Sequence, residues 1–169
     1  AFRLGWSDDH LTLIAELQKV ILTGGFRAVG MPRGTGKSTI IMRAMIWAIC
    51  TRRHPFAMIA AANAGKAEKL LRDIVVEVSH NQQLMDLFPE VCWPFRALEG
   101  ISNRARGQMY RGKNTNIMTS AKTICFATLE GYPGTGAIVS AAGLMEAVRG
   151  ALHTLPDGRV IRPSMLLCD

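Results

Sequence analysis

Met31-Pro32-Arg33-Gly34-Thr35-Gly36-Lys37-Ser38-Thr39 lies between an apolar run ending at Ala28-Val29-Gly30 and an apolar helical pattern that begins at Ile40. Gly34 to Thr39 read as the second half of a P-loop, in which glycines let backbone N–H groups turn inward around a phosphate. A strand at 26–30, a glycine turn and a helix N-terminus, in that order, build an anion site from backbone geometry. Lys37 then reaches the β- and γ-phosphates of a nucleotide, and Ser38 sets its hydroxyl on Mg²⁺. The pattern G-x-x-x-x-G-K-[ST] asks for a glycine where this chain has Met31, so the loop is a variant. The plainer alternative is a glycine turn that only opens a helix.

The chain of 169 residues suits a single domain with a real core. Twenty Lys and Arg against thirteen Asp and Glu give a net charge of +7, which favours a polyanionic partner such as nucleic acid, or simply keeps the protein in solution. Cys50, Cys92, Cys125 and Cys168 never form Cys-x-x-Cys, so neither a zinc pattern nor a disulfide framework is legible, and buried reduced thiols are expected. Residues 44–50 are apolar but too few to cross a bilayer, and the N-terminus lacks a signal-peptide core. A protein that is not secreted and has no membrane partner is expected.

In chain order, Ser7-Asp8-Asp9 and the spacing of Leu13, Leu17 and Val20 predict a helix over 8–23, stopped by Gly24-Gly25. Trp6, Ser7 and His10 are scaffold or contact a nucleotide base. After the loop, 38–50 is a helix apolar around nearly its whole circumference, hence buried against a sheet. The continuous apolar run 56–62 reads as a buried parallel strand. Ala67, Leu70, Leu71, Ile74, Val75 and Val78 define an amphipathic helix over 66–79, with Lys66 on its wet face. A short helix at 81–88 ends at Pro89, its Met and Phe side chains in the core.

From Glu99 to Glu130 there is no acidic side chain between the ends, yet Arg104, Arg106, Arg111, Lys113 and Lys122 occur there with Tyr110 among them. This is a loop facing nucleic acid or phosphate, or an ordinary solvated one. Strands are expected at 115–118, 123–129 and 137–141. The glycines at 134 and 136 mark a turn, because no Lys-Ser pair follows them. Pro156-Asp157-Gly158 is a further turn. Residues 165–169 form an apolar strand ending in Asp169, which beside a P-loop is placed to hold Mg²⁺.

Together these segments resemble the ATPase domain of phage terminase large subunits, the motors that package DNA into capsids. Pro32 to Thr39 looks like that family's variant Walker A, with Arg33 inside the loop and the first glycine missing. Residues 81–94 are similar to the stretch after the family's second strand. Val148-Arg149-Gly150 resembles an Arg-Gly element, and 162–169 resembles the run into Walker B. The resemblance implies an α/β three-layer P-loop NTPase domain over residues 1–169, with a central, mostly parallel sheet flanked by helices.

It also implies ATP and Mg²⁺ as cofactors, Pro32, Arg33, Gly34, Thr35, Gly36, Lys37, Ser38 and Thr39 as the ATP-binding residues, and Ser38 and Asp169 as metal ligands. Lys37, Arg33 in cis and Arg149 in trans are the catalytic groups it implies. Double-stranded DNA, a homo-oligomeric ring on a portal and a small terminase subunit are the implied partners, in the cytoplasm of an infected host cell. The catalytic glutamate and the C-terminal nuclease domain that the family pattern places after Walker B are expected beyond Asp169. Two other readings are a nucleotide- and DNA-binding module without turnover and a helicase-like P-loop ATPase.

Overall fold

The computed structural model describes residues 5–132, 134–148, 152–154, 158 and 160–169. Helix α1 (Asp8–Thr23) opens with a capping box: Ser7 accepts from the His10 N–H, and the His10 ring accepts from the Ser7 N–H. Gly24, at φ 79°, closes it. Helix α2 (Lys37–Cys50) follows, and no residue from 39 to 51 is exposed, as expected for a helix apolar on all sides. Strand β1 (Phe56–Ala61) is buried along its whole length. Helix α3 (Ala64–His80) starts at Asn63, whose side chain accepts from the Lys66 N–H.

Two short helices, α4 (Gln82–Leu87) and α5 (Pro89–Arg96), lead to a 3-10 turn at Ser102–Ala105. Strands β2 (Met109–Tyr110) and β3 (Lys113–Asn114) form a separate hairpin. Then come β4 (Met118–Thr119), β5 (Thr123–Cys125), β6 (Ile138–Gly143) and α6 (Leu144–Val148). Strands β7 (His153–Thr154) and β8 (Val160–Ile161) make a second small hairpin before β9 (Met165–Cys168).

The main sheet has the order β4-β5-β6-β1-β9. Strand β1 runs parallel to both neighbours, with Ile59 opposite Ala141 of β6 and Leu167 of β9. Alternation along β1 sends Ala57, Ile59 and Ala61 into the main core with Ile46, Ile49, Leu71 and Ile74 of α2 and α3. On the opposite face α6 meets β1 and β6, and His153 packs its ring edge on Phe56. The molecule is thus α/β, a mixed five-stranded sheet flanked by helices.

Several expectations need correction. Of the strand expected at 115–118 only Met118 is in a strand, at the start of β4; residues 115–117 have no regular structure, because the Thr115 backbone bonds singly to Gln108 and Thr128 rather than in a ladder. Residues 26–30 are not a core strand: residues 24–32 have no regular structure, and Phe26 is 86% exposed. A strand exists only through a ladder partner, and among the described residues nothing pairs with this stretch. The sheet is mixed rather than mostly parallel, because the connections from β4 to β5 (residues 120–122) and from β5 to β6 (residues 126–137) both reverse the chain direction. Residues 123–129 pair only as far as Cys125; beyond it, Phe126, Ala127 and Thr128 bond singly to Ala137, Gly136 and Thr115. Pro89 ends α4 but also begins α5, where its missing N–H costs nothing at the first helical position.

The cysteines divide. Cys50 and Cys92 are buried free thiols, Cys125 is half-buried, and Cys168, expected inside, is exposed on β9. The Pro156-Asp157 part of the turn expected at 156–158 lies outside the described residues.

Candidate functional site

Gly34 and Gly36 hold φ at 83° and 79°, the left-handed region that a side chain resists. Gly36 is the N-cap of α2 and offers no side chain to cap it. The Ile40 N–H, donating to Gly36 O at 3.0 Å, makes the first bond of the helix ladder. The N–H groups of Lys37, Ser38 and Thr39 therefore lack intrahelical acceptors and face outward from the helix start, where the helix dipole is positive. Thr35 tightens the turn by donating its hydroxyl to Pro32 O at 3.0 Å.

The loop is braced from α1. His10 Nε2 lies 2.8 Å from Thr35 O, and because a carbonyl only accepts, Nε2 carries the proton. Nδ1 is then left to accept from the Ser7 N–H at 3.2 Å. One ring thus caps α1 and holds the glycine loop, with the Trp6 ring edge against it at 5.7 Å. Of the two roles open to Ser7 and His10, this geometry supports scaffolding.

From the other side, β9 delivers Asp169. Its N–H donates to Ala60 O at 2.9 Å, continuing the ladder with β1 and fixing the height of the carboxylate. Pro32, Arg33, Gly34, Thr35, Gly36, Lys37, Ser38, Thr39 and Asp169 line one open cavity of about 270 Å³. Every residue expected at the phosphates and the metal is thus brought together except Arg149, which lies outside the described residues, as does Gly150. Behind the cavity, Ser38 and Asp169 border a smaller apolar gap between α2, α3 and β9.

The sequence reading missed Lys66 as a member of this site. Its Nζ sits 2.8 Å from Asp169 Oδ2. The signal was available in outline: Asn63 starts α3 directly after β1, and helices that follow parallel strands begin at the same end of the sheet as a P-loop. Among the described residues Arg33 and Lys37 make no ion pair, so the cavity wall carries uncompensated positive charge. That charge, with the free N–H groups, suits a polyphosphate.

Mg²⁺ takes hard oxygen ligands, commonly one or two from protein alongside phosphate oxygens and water. The Ser38 hydroxyl and the Asp169 carboxylate, facing one cavity, fit that requirement. Elsewhere, among the described residues, no group of three or more His, Cys, Asp or Glu comes together to hold a metal, and no helix is long and apolar enough to cross a membrane.

The glycine pair at 134 and 136 is a turn at the opposite end of α2. A side chain at Gly134 would meet Val91 Cγ2 at 3.1 Å and the backbone of Ile49 and Cys50. Comparison with family models, curated proteins and solved structures finds no match to this chain.

Proposed function

We propose that the chain is a P-loop ATPase domain of a DNA-packaging motor, binding Mg²⁺-ATP at the C-terminal ends of β1 and β9. The observation that carries this reading is the single cavity walled by residues 32–39 on one side and by Asp169 on the other. The backbone from Gly34 to Ser38 cradles the phosphates, Lys37 supplies a mobile positive charge to them, and Arg33 stands in the loop beside the transferring group. Ser38 and Asp169 would hold the metal, which would supply positive charge to offset that of the phosphates. Arg149 acts in trans on a neighbour's nucleotide in a ring seated on a portal, with a small terminase subunit as partner and double-stranded DNA as the load. These finer assignments follow the terminase resemblance and complete a three-layer P-loop arrangement.

The test is a titration of the chain with a fluorescent ATP analogue and Mg²⁺. A charge-assisted bond to phosphate is worth about 1.5–3 kcal/mol, so Lys37→Ala weakens binding roughly 10- to 100-fold. Equal affinity for the variant and the wild type counts against the nucleotide site. Binding without release of inorganic phosphate supports the module without turnover instead.

A further inference from the structure

We propose that the β2–β3 hairpin grips the phosphate backbone of duplex DNA through Arg111 and Lys113; the proposal rests on the reading of the chain as a DNA-translocating domain and names the surface that does the holding. The hairpin turns through Arg111 and Gly112, both at positive φ, 49° and 77°. Such a turn keeps the twist of the two flanking strands and makes a narrow ribbon with its tip in solvent. Met109, Arg111, Gly112, Lys113 and Asn114 are all exposed.

The two cations are positioned rather than loose. Arg111 Cζ lies 5.3 Å from the centre of the Tyr110 ring. Lys113 Nζ stands 6.0 Å from the centre of the Tyr132 ring. Tyr110 is anchored in turn against Trp93, with ring centres 5.2 Å apart, in a small cluster with Ala127 and Leu129. Gln108 Nε2 donates to Pro94 O at 2.9 Å and ties the base of the ribbon to α5. Holding long cationic side chains on aromatic faces lowers the entropy lost when they meet a ligand.

The partner follows from this arrangement. Tyr110 is 9% exposed and Tyr132 lies under Lys113, so neither ring is open for a base to stack on, as a single-strand platform requires. A two-stranded ribbon fits the width of a duplex major groove, where cations at its tip reach phosphates without reading sequence. Arg106 and Lys122, exposed on the same acid-free stretch, extend the positive field, whereas Arg104 is paired with Glu99. The surface is separate from the nucleotide cavity: the turn carrying Tyr132 and Gly134 rests at the C-terminal end of α2, roughly 20 Å along the helix from Lys37.

The experiment is fluorescence anisotropy of the whole chain with a labelled random-sequence duplex and its single strand, across a salt series. Arg111→Ala/Lys113→Ala is compared with the wild type and with Lys69→Ala/Arg72→Ala, which removes equal charge from the exposed face of α3. Because each phosphate contact adds about 0.9 to the slope of log affinity against log salt, the hairpin variant loses about 2 from that slope and at least tenfold in duplex affinity at low salt. The α3 variant loses less than threefold. Equal losses in the two variants, or wild-type binding by the hairpin variant, overturn the assignment while leaving DNA binding itself intact. Tighter binding of the single strand than of the duplex also overturns it. Failure of the wild type to bind either nucleic acid at low salt removes the DNA reading as a whole. Lys113→Glu, a change at an exposed position, is the second variant should the double substitution melt at lower temperature.

Discussion

Lys66 Nζ lies 2.8 Å from Asp169 Oδ2, so the carboxylate suited to a metal already has a cation beside it. Lys66 comes from the first turn of α3 and Asp169 from the end of β9, and the parallel pairing of β1 with β9 brings the two together. A monovalent ammonium at this point competes with a divalent ion for the same oxygen.

The strength of that competition follows from exposure. The Lys66 and Asp169 side chains are 51% and 29% exposed, and a pair this open to water contributes about 0–1 kcal/mol. Mg²⁺ arriving with nucleotide displaces it readily. Lys66→Met should therefore lower the Mg²⁺ concentration that half-saturates nucleotide binding by about two- to fivefold, and shift unfolding by less than about 1 kcal/mol. A titration of nucleotide binding against Mg²⁺ measures it. A higher Mg²⁺ requirement in the variant would mean that Lys66 helps hold the phosphates instead.

His10 links the start of α1 to Thr35 through one neutral ring, so His10→Ala removes two contacts at once. Loss of the capping box costs about 0.5–2 kcal/mol of stability. Loss of the donor to Thr35 O frees the glycine loop, and nucleotide affinity should fall severalfold. His10→Gln retains an acceptor for the Ser7 N–H and a donor for Thr35, and should recover most of the stability. Chemical denaturation and nucleotide titration of both variants separate the two effects. Full affinity in His10→Ala would show that the loop holds its shape unaided.

Much of this arrangement is written locally. The Gly-Lys-Ser run specifies a helix start without a side-chain cap, the 3.6-residue spacing specifies α3, and the unbroken apolar run specifies β1. Residues 26–30 were misjudged because a strand depends on a neighbour, which local composition does not reveal. Helix α5 is not legible because Pro89 reads as the end of a helix, although a proline at the first helical position is harmless. Lys66 looked like one more charge on a wet helix face, since its meeting with Asp169 depends on sheet order. The capping role of His10 was hidden for a related reason: a histidine at this position stands where Glu or Gln is usual.

Gly134 distinguishes the second glycine cluster from a phosphate loop. Its φ of 67° strains any side chain, and Val91 Cγ2, 3.1 Å from where a methyl group would sit, would have to give by a few tenths of an ångström. Gly134→Ala should destabilise the fold by about 1–3 kcal/mol through backbone strain and overpacking. Nucleotide affinity should not change, because the turn lies at the far end of α2 from Lys37. Weaker nucleotide binding at a temperature where the variant remains folded would place this cluster in the site after all.

The buried thiols set an alkaline limit on stability. Burial pushes both the Cys50 and Cys92 thiols up to about 12 from the ordinary value of 9.0, with the neighbouring Cys92 adding to the effect at Cys50 and Arg96 opposing it at Cys92. The unfolded chain therefore releases these protons first. Their contribution is fully present below about pH 9 and is lost as pH rises from there towards 12. Denaturant midpoints should fall between pH 8 and pH 10 in the wild type, and fall less steeply in Cys50→Ala/Cys92→Ala, which lacks both groups. Comparing slopes rather than midpoints removes the packing cost of the substitutions and the titration of lysines and tyrosines shared by both proteins. Parallel slopes would mean that the two thiols ionise alike in the folded and unfolded chains. The same burial predicts that a thiol reagent at pH 8 labels Cys168 rapidly, and reaches Cys50 and Cys92 only on unfolding.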